Sequence, residues 1–116
     1  MGSTNSAIGV APETGLISVR VLPADSDPLP SHDTLLTGLN WVLANRDRYN
    51  IRIVNMSLGV YTTHYNSLPS DNDWWTAIRA LEARGVTVVT ASGNNWGDFA
   101  YNGPGVSVPA VYSTIS

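Results

Sequence analysis

Cysteine is absent from the 116 residues. That excludes a disulfide scaffold and thiolate zinc sites, though it does not identify a compartment. Charge is scarce: 13% of residues are charged, six basic against nine acidic, for a formal net charge of −3. Such a balance leaves no basic footprint and argues against nucleic acid as a partner. No apolar run approaches the ~20 residues that span a bilayer, so no membrane segment is expected. Met1 to Ser6 carries neither a cationic stretch nor an apolar one, and no signal peptide is visible. Internal repeats and low-complexity tracts are also missing. What remains is a chain of single-domain length, residues 1–116, with 43% apolar residues. It can bury a core and is not compositionally disordered. So low a charge fraction suits a section from the inside of a larger body.

The apolar pattern alternates between two periods. Ile17 to Leu22 reads as a strand ending at Pro23. Asp25 to Pro30 reads as a loop. From Ser31, a plausible N-cap, Leu35, Leu36, Leu39, Val42 and Leu43 recur at helical spacing, and Asn45 to Asn50 closes that helix. Ile51 to Met56 is expected as a strand and Val60 to Pro69 as a polar loop. Ser70 or Asp71 can cap a second helix. It carries Trp74, Ile78 and Leu81 on one face, Trp75 at the edge, and a stop at Arg84-Gly85. Val86 to Thr90 is a third strand, and another begins within Val106 to Ser116. Strand, helix, strand, helix, strand with connections of this length predicts an α/β fold. Its sheet is parallel, with helices packed on the faces.

Two short stretches stand out: Asn55-Met56-Ser57-Leu58-Gly59 and Thr90-Ala91-Ser92-Gly93-Asn94. Each follows a β-branched apolar run that reads as a buried parallel strand. In open α/β sheets, ligands bind just beyond the carboxyl ends of the strands. There both stretches exchange apolar bulk for Ser, Gly and Asn. Small residues let another backbone come close, and a Gly-Asn turn presents amide donors. The combination suits gripping an extended peptide and stabilising negative charge.

With Gly9-Val10-Ala11-Pro12 and Val19-Arg20-Val21-Leu22, these two stretches resemble the subtilisin-like serine proteases, in family order over residues 9 to 94. The resemblance implies a three-layer α/β/α fold and serine endopeptidase activity on a peptide or protein substrate. It implies that Ser57, Leu58 and Gly59 form a substrate-binding segment, pairing with the peptide like an added strand. Ala91, Ser92 and Gly93 would form the facing wall of the pocket for the residue before the cleaved bond. Asn94 would be the oxyanion-hole donor. Small residues on both walls leave room for a large apolar side chain.

The family's catalytic Asp lies in an Asp-Thr/Ser-Gly motif, its His in His-Gly-Thr-His and its nucleophile in Gly-Thr-Ser. None of these motifs occurs in this sequence. The expectation is therefore the middle of a catalytic domain, whose flanking parts supply the triad, and a 116-residue piece that is inactive alone.

Each candidate also has a plainer role. Asn94 fits a turn residue that tolerates a left-handed backbone. His32, at a helix start, and His64, in a polar loop, read as solvated residues. Ser57 and Ser92 lack a nearby base and are poor nucleophiles. No cofactor is expected. Calcium is a ligand the family admits, but Asp25, Asp27, Asp71 and Asp73 do not have the spacing of a complete ligand loop, and capping or turn roles suit them better. Asn55-Met56-Ser57 is a glycosylation sequon placed in a strand, where modification is not expected. Two other functions stay open at the level of the sequence. One is a catalytically dead peptide-binding relative that keeps the cleft. The other is an unrelated flavodoxin-like or nucleotide-binding α/β domain, disfavoured because Leu22-Pro23-Ala24-Asp25 stands where a phosphate-cradling glycine loop would follow the first strand.

Overall fold

The computed structural model describes residues 9–22, 32–65, 73–93 and 106–110. Six elements follow in chain order: α1 (His32–Asn45), β1 (Ile53–Met56), β2 (Val60–Tyr65), α2 (Asp73–Glu82), β3 (Thr87–Thr90) and β4 (Val106–Val108). The two helices bury the residues their spacing selects. α1 turns Leu35, Leu39 and Val42 into the core, with Leu36 and Leu43 half-buried beside them. α2 adds Trp74, Ala77, Ile78 and Leu81, with Trp75 packed at the margin. Met56, Val86 and Val88 complete the cluster from the sheet.

Both helices end on the same device. At the end of α1, the Ile51 N–H donates to the Arg46 carbonyl (2.9 Å) and the Asn50 N–H to the Asp47 carbonyl (3.3 Å). Asn50 sits between them at φ 52°. After α2, the Val86 N–H donates to the Leu81 carbonyl (3.1 Å) and the Gly85 N–H to the Glu82 carbonyl (2.9 Å), with Gly85 at φ 74°. These are Schellman turns, each with the one residue in the left-handed region that the motif requires. Each leads directly into a strand. Arg46 ties the two turns together: its Nη2 donates to the Arg84 carbonyl at 2.6 Å, and its Nη1 pairs with the Asp47 carboxylate. A guanidinium at the last carbonyls of α2 also complements the negative end of that helix.

β1 and β3 are parallel neighbours in the register Ile53↔Thr87, Val54↔Val88, Asn55↔Val89, Met56↔Thr90. The ladder is flanked by bonds from Thr87 N–H to the Arg52 carbonyl (2.8 Å) and from Ala91 N–H to the Met56 carbonyl (3.3 Å). The α/β class and the parallel pairing agree with the sequence. Burial does not run along the whole of each strand. Met56 and Val88 are buried under the helices, whereas Ile53 and Val89 on the opposite face are 65% and 45% exposed. Among the described residues, helices cover one face of this pair and the other lies open. Continuous β-branched runs suit two-sided burial, but among the described residues only one of the two sides is packed.

Two segments differ from expectation. Ile17 to Leu22 is not assigned as a strand. It lies over α1 with Val19 and Val21 toward Gly38, and a crevice of about 1010 Å³ separates residues 14–21 from β1. The period-2 placement of Val19 and Val21 is kept, but it is satisfied by helix packing rather than by a ladder. The second departure is β2, which occupies most of the segment expected as a polar loop. It pairs antiparallel with β4 in the register Val60↔Val108, His64↔Ser107, Tyr65↔Val106, with a register shift between Val60 and His64. Val60-Tyr61-Thr62-Thr63 is built from good strand formers, a signal outweighed in the sequence by the polar residues after Tyr65.

The close approach at Gly38 is testable. A Cβ built there would lie 2.7 Å from Val21 Cγ1 and 3.5 Å from Val19 Cγ1. Gly38→Ala gains about 1 kcal/mol of helix propensity but overpacks this contact, at a cost of about 1–3 kcal/mol. A net destabilisation is expected with Val21 present and a net stabilisation in a Val21→Ala background. A thermodynamic double-mutant cycle reads the coupling; additive effects would mean that residues 19–21 do not rest on α1.

Candidate functional site

The parallel register decides where the two Ser/Gly stretches lie. Met56 faces Thr90 across the ladder, and the Ala91 N–H bond to the Met56 carbonyl carries the pairing one residue past the strands. Ser57-Leu58-Gly59 and Ala91-Ser92-Gly93 therefore leave the sheet side by side. They do so at the carboxyl ends, where a parallel sheet offers its crevice.

Ser57, Ala91 and Ser92 are exposed, and Gly59 and Gly93 are half-buried. The Ser57 hydroxyl donates to Asn55 Oδ1 at 3.2 Å, which turns it back toward its own strand. Leu58 is half-buried against the core cluster. Its side chain thus anchors the segment, leaving the backbone as the part that can pair with a ligand. Gly93 has φ 100°, a conformation that a side chain at this position would strain. Gly93 lies three residues past the end of β3.

Several predicted residues fall elsewhere. Asn94 lies outside the described residues, as do Asp25, Asp27, Asp71 and Trp96, and the side chains of His32 and His64. Asp73 is the first residue of α2, a carboxylate at the positive end of that helix. Among the described residues no three His, Asp or Glu side chains come together. Trp74 and Trp75 pack α2 onto the core, whereas Trp41 is partly exposed and stacks on Tyr49 with ring centroids 6.0 Å apart. Sequence reasoning missed β2, which continues directly from Gly59.

The sequence profile of the Subtilase family matches residues 1–115. The chain belongs to the subtilase family. Relatives include a protein named Subtilisin-like protease 3 from Pseudogymnoascus destructans, 32% identical over 107 residues, and an Alkaline proteinase from Hapsidospora chrysogena, 33% identical over 107 residues. Subtilisin DY from Bacillus licheniformis is 28% identical over 116 residues. These alignments take in 89%, 89% and 99% of this chain, but only 24%, 24% and 36% of the respective relatives. Membership in the subtilase family removes the flavodoxin-like alternative. The absence of a glycine loop after Leu22 had already counted against it.

Proposed function

We propose that this chain forms the substrate cleft of a subtilisin-like serine endopeptidase whose triad is supplied by flanking sequence. The observation that carries the reading is the register of β1 on β3. It sets Ser57-Leu58-Gly59 beside Ala91-Ser92-Gly93 at one end of the sheet. In this reading an extended peptide pairs with the backbone of residues 57–59. Residues 91–93 wall the pocket for the side chain before the cleaved bond, and that pocket takes a large apolar group. Asn94 follows Gly93 and donates its side-chain amide to the oxyanion as it forms. The partner is a peptide or protein substrate, and no cofactor takes part.

Without nucleophile and base, binding and one oxyanion donor leave only residual catalysis. The 116-residue chain alone is expected to give no turnover of a chromogenic peptide or casein and no labelling by a serine-directed covalent probe. The same chain within its complete coding sequence is expected to give both. Labelling of a single serine in the isolated chain would overturn the division of labour. An inert complete protein that still binds peptide would identify a catalytically dead relative.

A further inference from the structure

We infer that Asn55 is a positioning residue of the cleft, which holds the Ser57 hydroxyl away from the backbone groups that take the substrate. The inference rests on the cleft reading above and adds to it a residue that does not touch the peptide. β1 alternates along its length. Val54, Met56 and Leu58 pack on the core cluster, whereas Ile53, Asn55 and Ser57 are exposed on the other face. In the ladder Asn55 lies opposite Val89, which is exposed as well. Asn55 therefore has an apolar neighbour along the strand, Ile53, and another across it. Asparagine is among the residues that strands avoid. A local preference broken in this way points to a site. What asparagine supplies here is an acceptor: the Ser57 hydroxyl donates to Asn55 Oδ1 at 3.2 Å.

The need for that acceptor lies in the position of Ser57. The last matched pair of the ladder is Met56 and Thr90, so Ser57 is the first residue beyond it. A serine hydroxyl without a partner competes for backbone N–H and C=O groups near it in sequence. At Ser57 those are the groups that a bound peptide needs. The carboxamide two residues earlier shares a strand face with the hydroxyl and engages it, which removes the competitor. The same bond spans the step from the ladder to the cleft and favours its extended form. The Asn-x-Ser spacing that spells a glycosylation sequon thus serves here as a clamp between side chains. Its effect falls on binding rather than on chemistry. The peptide pairs with residues 57–59 in the ground state and in the transition state alike, and an interaction common to both is read in KM.

The test uses the complete protein and one peptide substrate. Asn55→Leu and Asn55→Ala both remove the acceptor, and the pair keeps the outcome from hanging on leucine's bulk. Each should raise KM by about three- to tenfold with kcat little changed. Asn55→Asp keeps an acceptor oxygen and should bring KM back to within about twofold of its original value. In a Ser57→Ala background there is no hydroxyl to hold, and Asn55→Leu should cost nothing further. A merely structural Asn55 would cost the same in both backgrounds. Gly59→Val, which sets a side chain where the peptide backbone comes close, is the control and should raise KM. With that control met, four results would overturn the inference alone. They are an unchanged KM in both Asn55→Leu and Asn55→Ala, no rescue by aspartate, an undiminished cost in the Ser57→Ala background, and a loss carried by kcat. An unchanged KM in Gly59→Val would overturn the cleft reading and this inference with it.

Discussion

Replacing Asn94 by leucine in the complete catalytic domain is expected to lower kcat by about 10²–10³, with KM little changed. The figure is the one known for removing an oxyanion asparagine from subtilisin and is taken over from that enzyme. It corresponds to about 3–4 kcal/mol of transition-state stabilisation. The reason for the split between kcat and KM is chemical. The substrate carbonyl is neutral and trigonal, and full negative charge reaches its oxygen only as the tetrahedral intermediate forms. A donor aimed at that charge contributes most in the transition state and little in the ground state. Leucine keeps the approximate size of asparagine and removes the N–H. Unchanged kcat, or a rise in KM that accounts for the whole loss, would assign Asn94 to the turn after Gly93 and not to catalysis.

Leu81→Ala is expected to cost about 2–5 kcal/mol of folding stability. Leu81 is fully buried, on α2, beside Ile78 and Val88, which are also fully buried. Its carbonyl accepts from Arg84 N–H at 3.0 Å and Val86 N–H at 3.1 Å, closing the turn that launches β3. Alanine keeps both of those backbone bonds, so the loss reports burial and the cavity rather than the turn. Against a total stability of about 5–15 kcal/mol for a typical domain this is a large fraction. Val89→Ala, on the open face of the sheet, serves as the comparison and should cost much less if that face stays open in the complete protein. Urea unfolding, read at constant m, measures both. A Leu81→Ala cost below about 1 kcal/mol would contradict a core centred on α2 and β3.

Some of this fold was legible in the sequence because local chemistry dictates it. Leu35, Leu39 and Val42 mark one face of α1, and Trp74, Ile78 and Leu81 one face of α2. All six are buried, joined by Ala77 on α2. Gly85 announces its own turn, since φ 74° suits glycine best. Asn50 plays the same part less visibly, as the residue type that next best tolerates a left-handed backbone. The strands were legible as apolar runs, but their open face was not. A β-branched run has the same composition whether one or both of its sides are packed.

The pairing partners were beyond local reading. Val19 and Val21 alternate as a strand would, yet their side chains rest at Gly38, where the lack of a Cβ leaves a place on α1. Whether an alternating segment joins a ladder or lies on a helix depends on residues distant in sequence. β2 failed in the opposite direction: its strand formers were present but sat among polar neighbours, and its partner β4 lies some forty residues later. The site was legible as two motifs. That they emerge side by side follows from the register of β1 on β3, which neither motif encodes. The half-buried side chain of Leu58 packs against the core cluster, which leaves the backbone of its segment as the part that can pair with a ligand.

The measurement that tests the cleft most directly is a crystal structure of the complete protein with a peptide boronate or aldehyde covalently held at the nucleophile. The account predicts an extended peptide hydrogen-bonded to the backbone of Ser57 to Gly59. Its terminal side chain would lie against Ala91 to Gly93, and the Asn94 amide would stand within about 3 Å of the tetrahedral oxygen. A peptide bound away from the carboxyl ends of β1 and β3, or an oxygen held by other donors with Asn94 turned out, would contradict it.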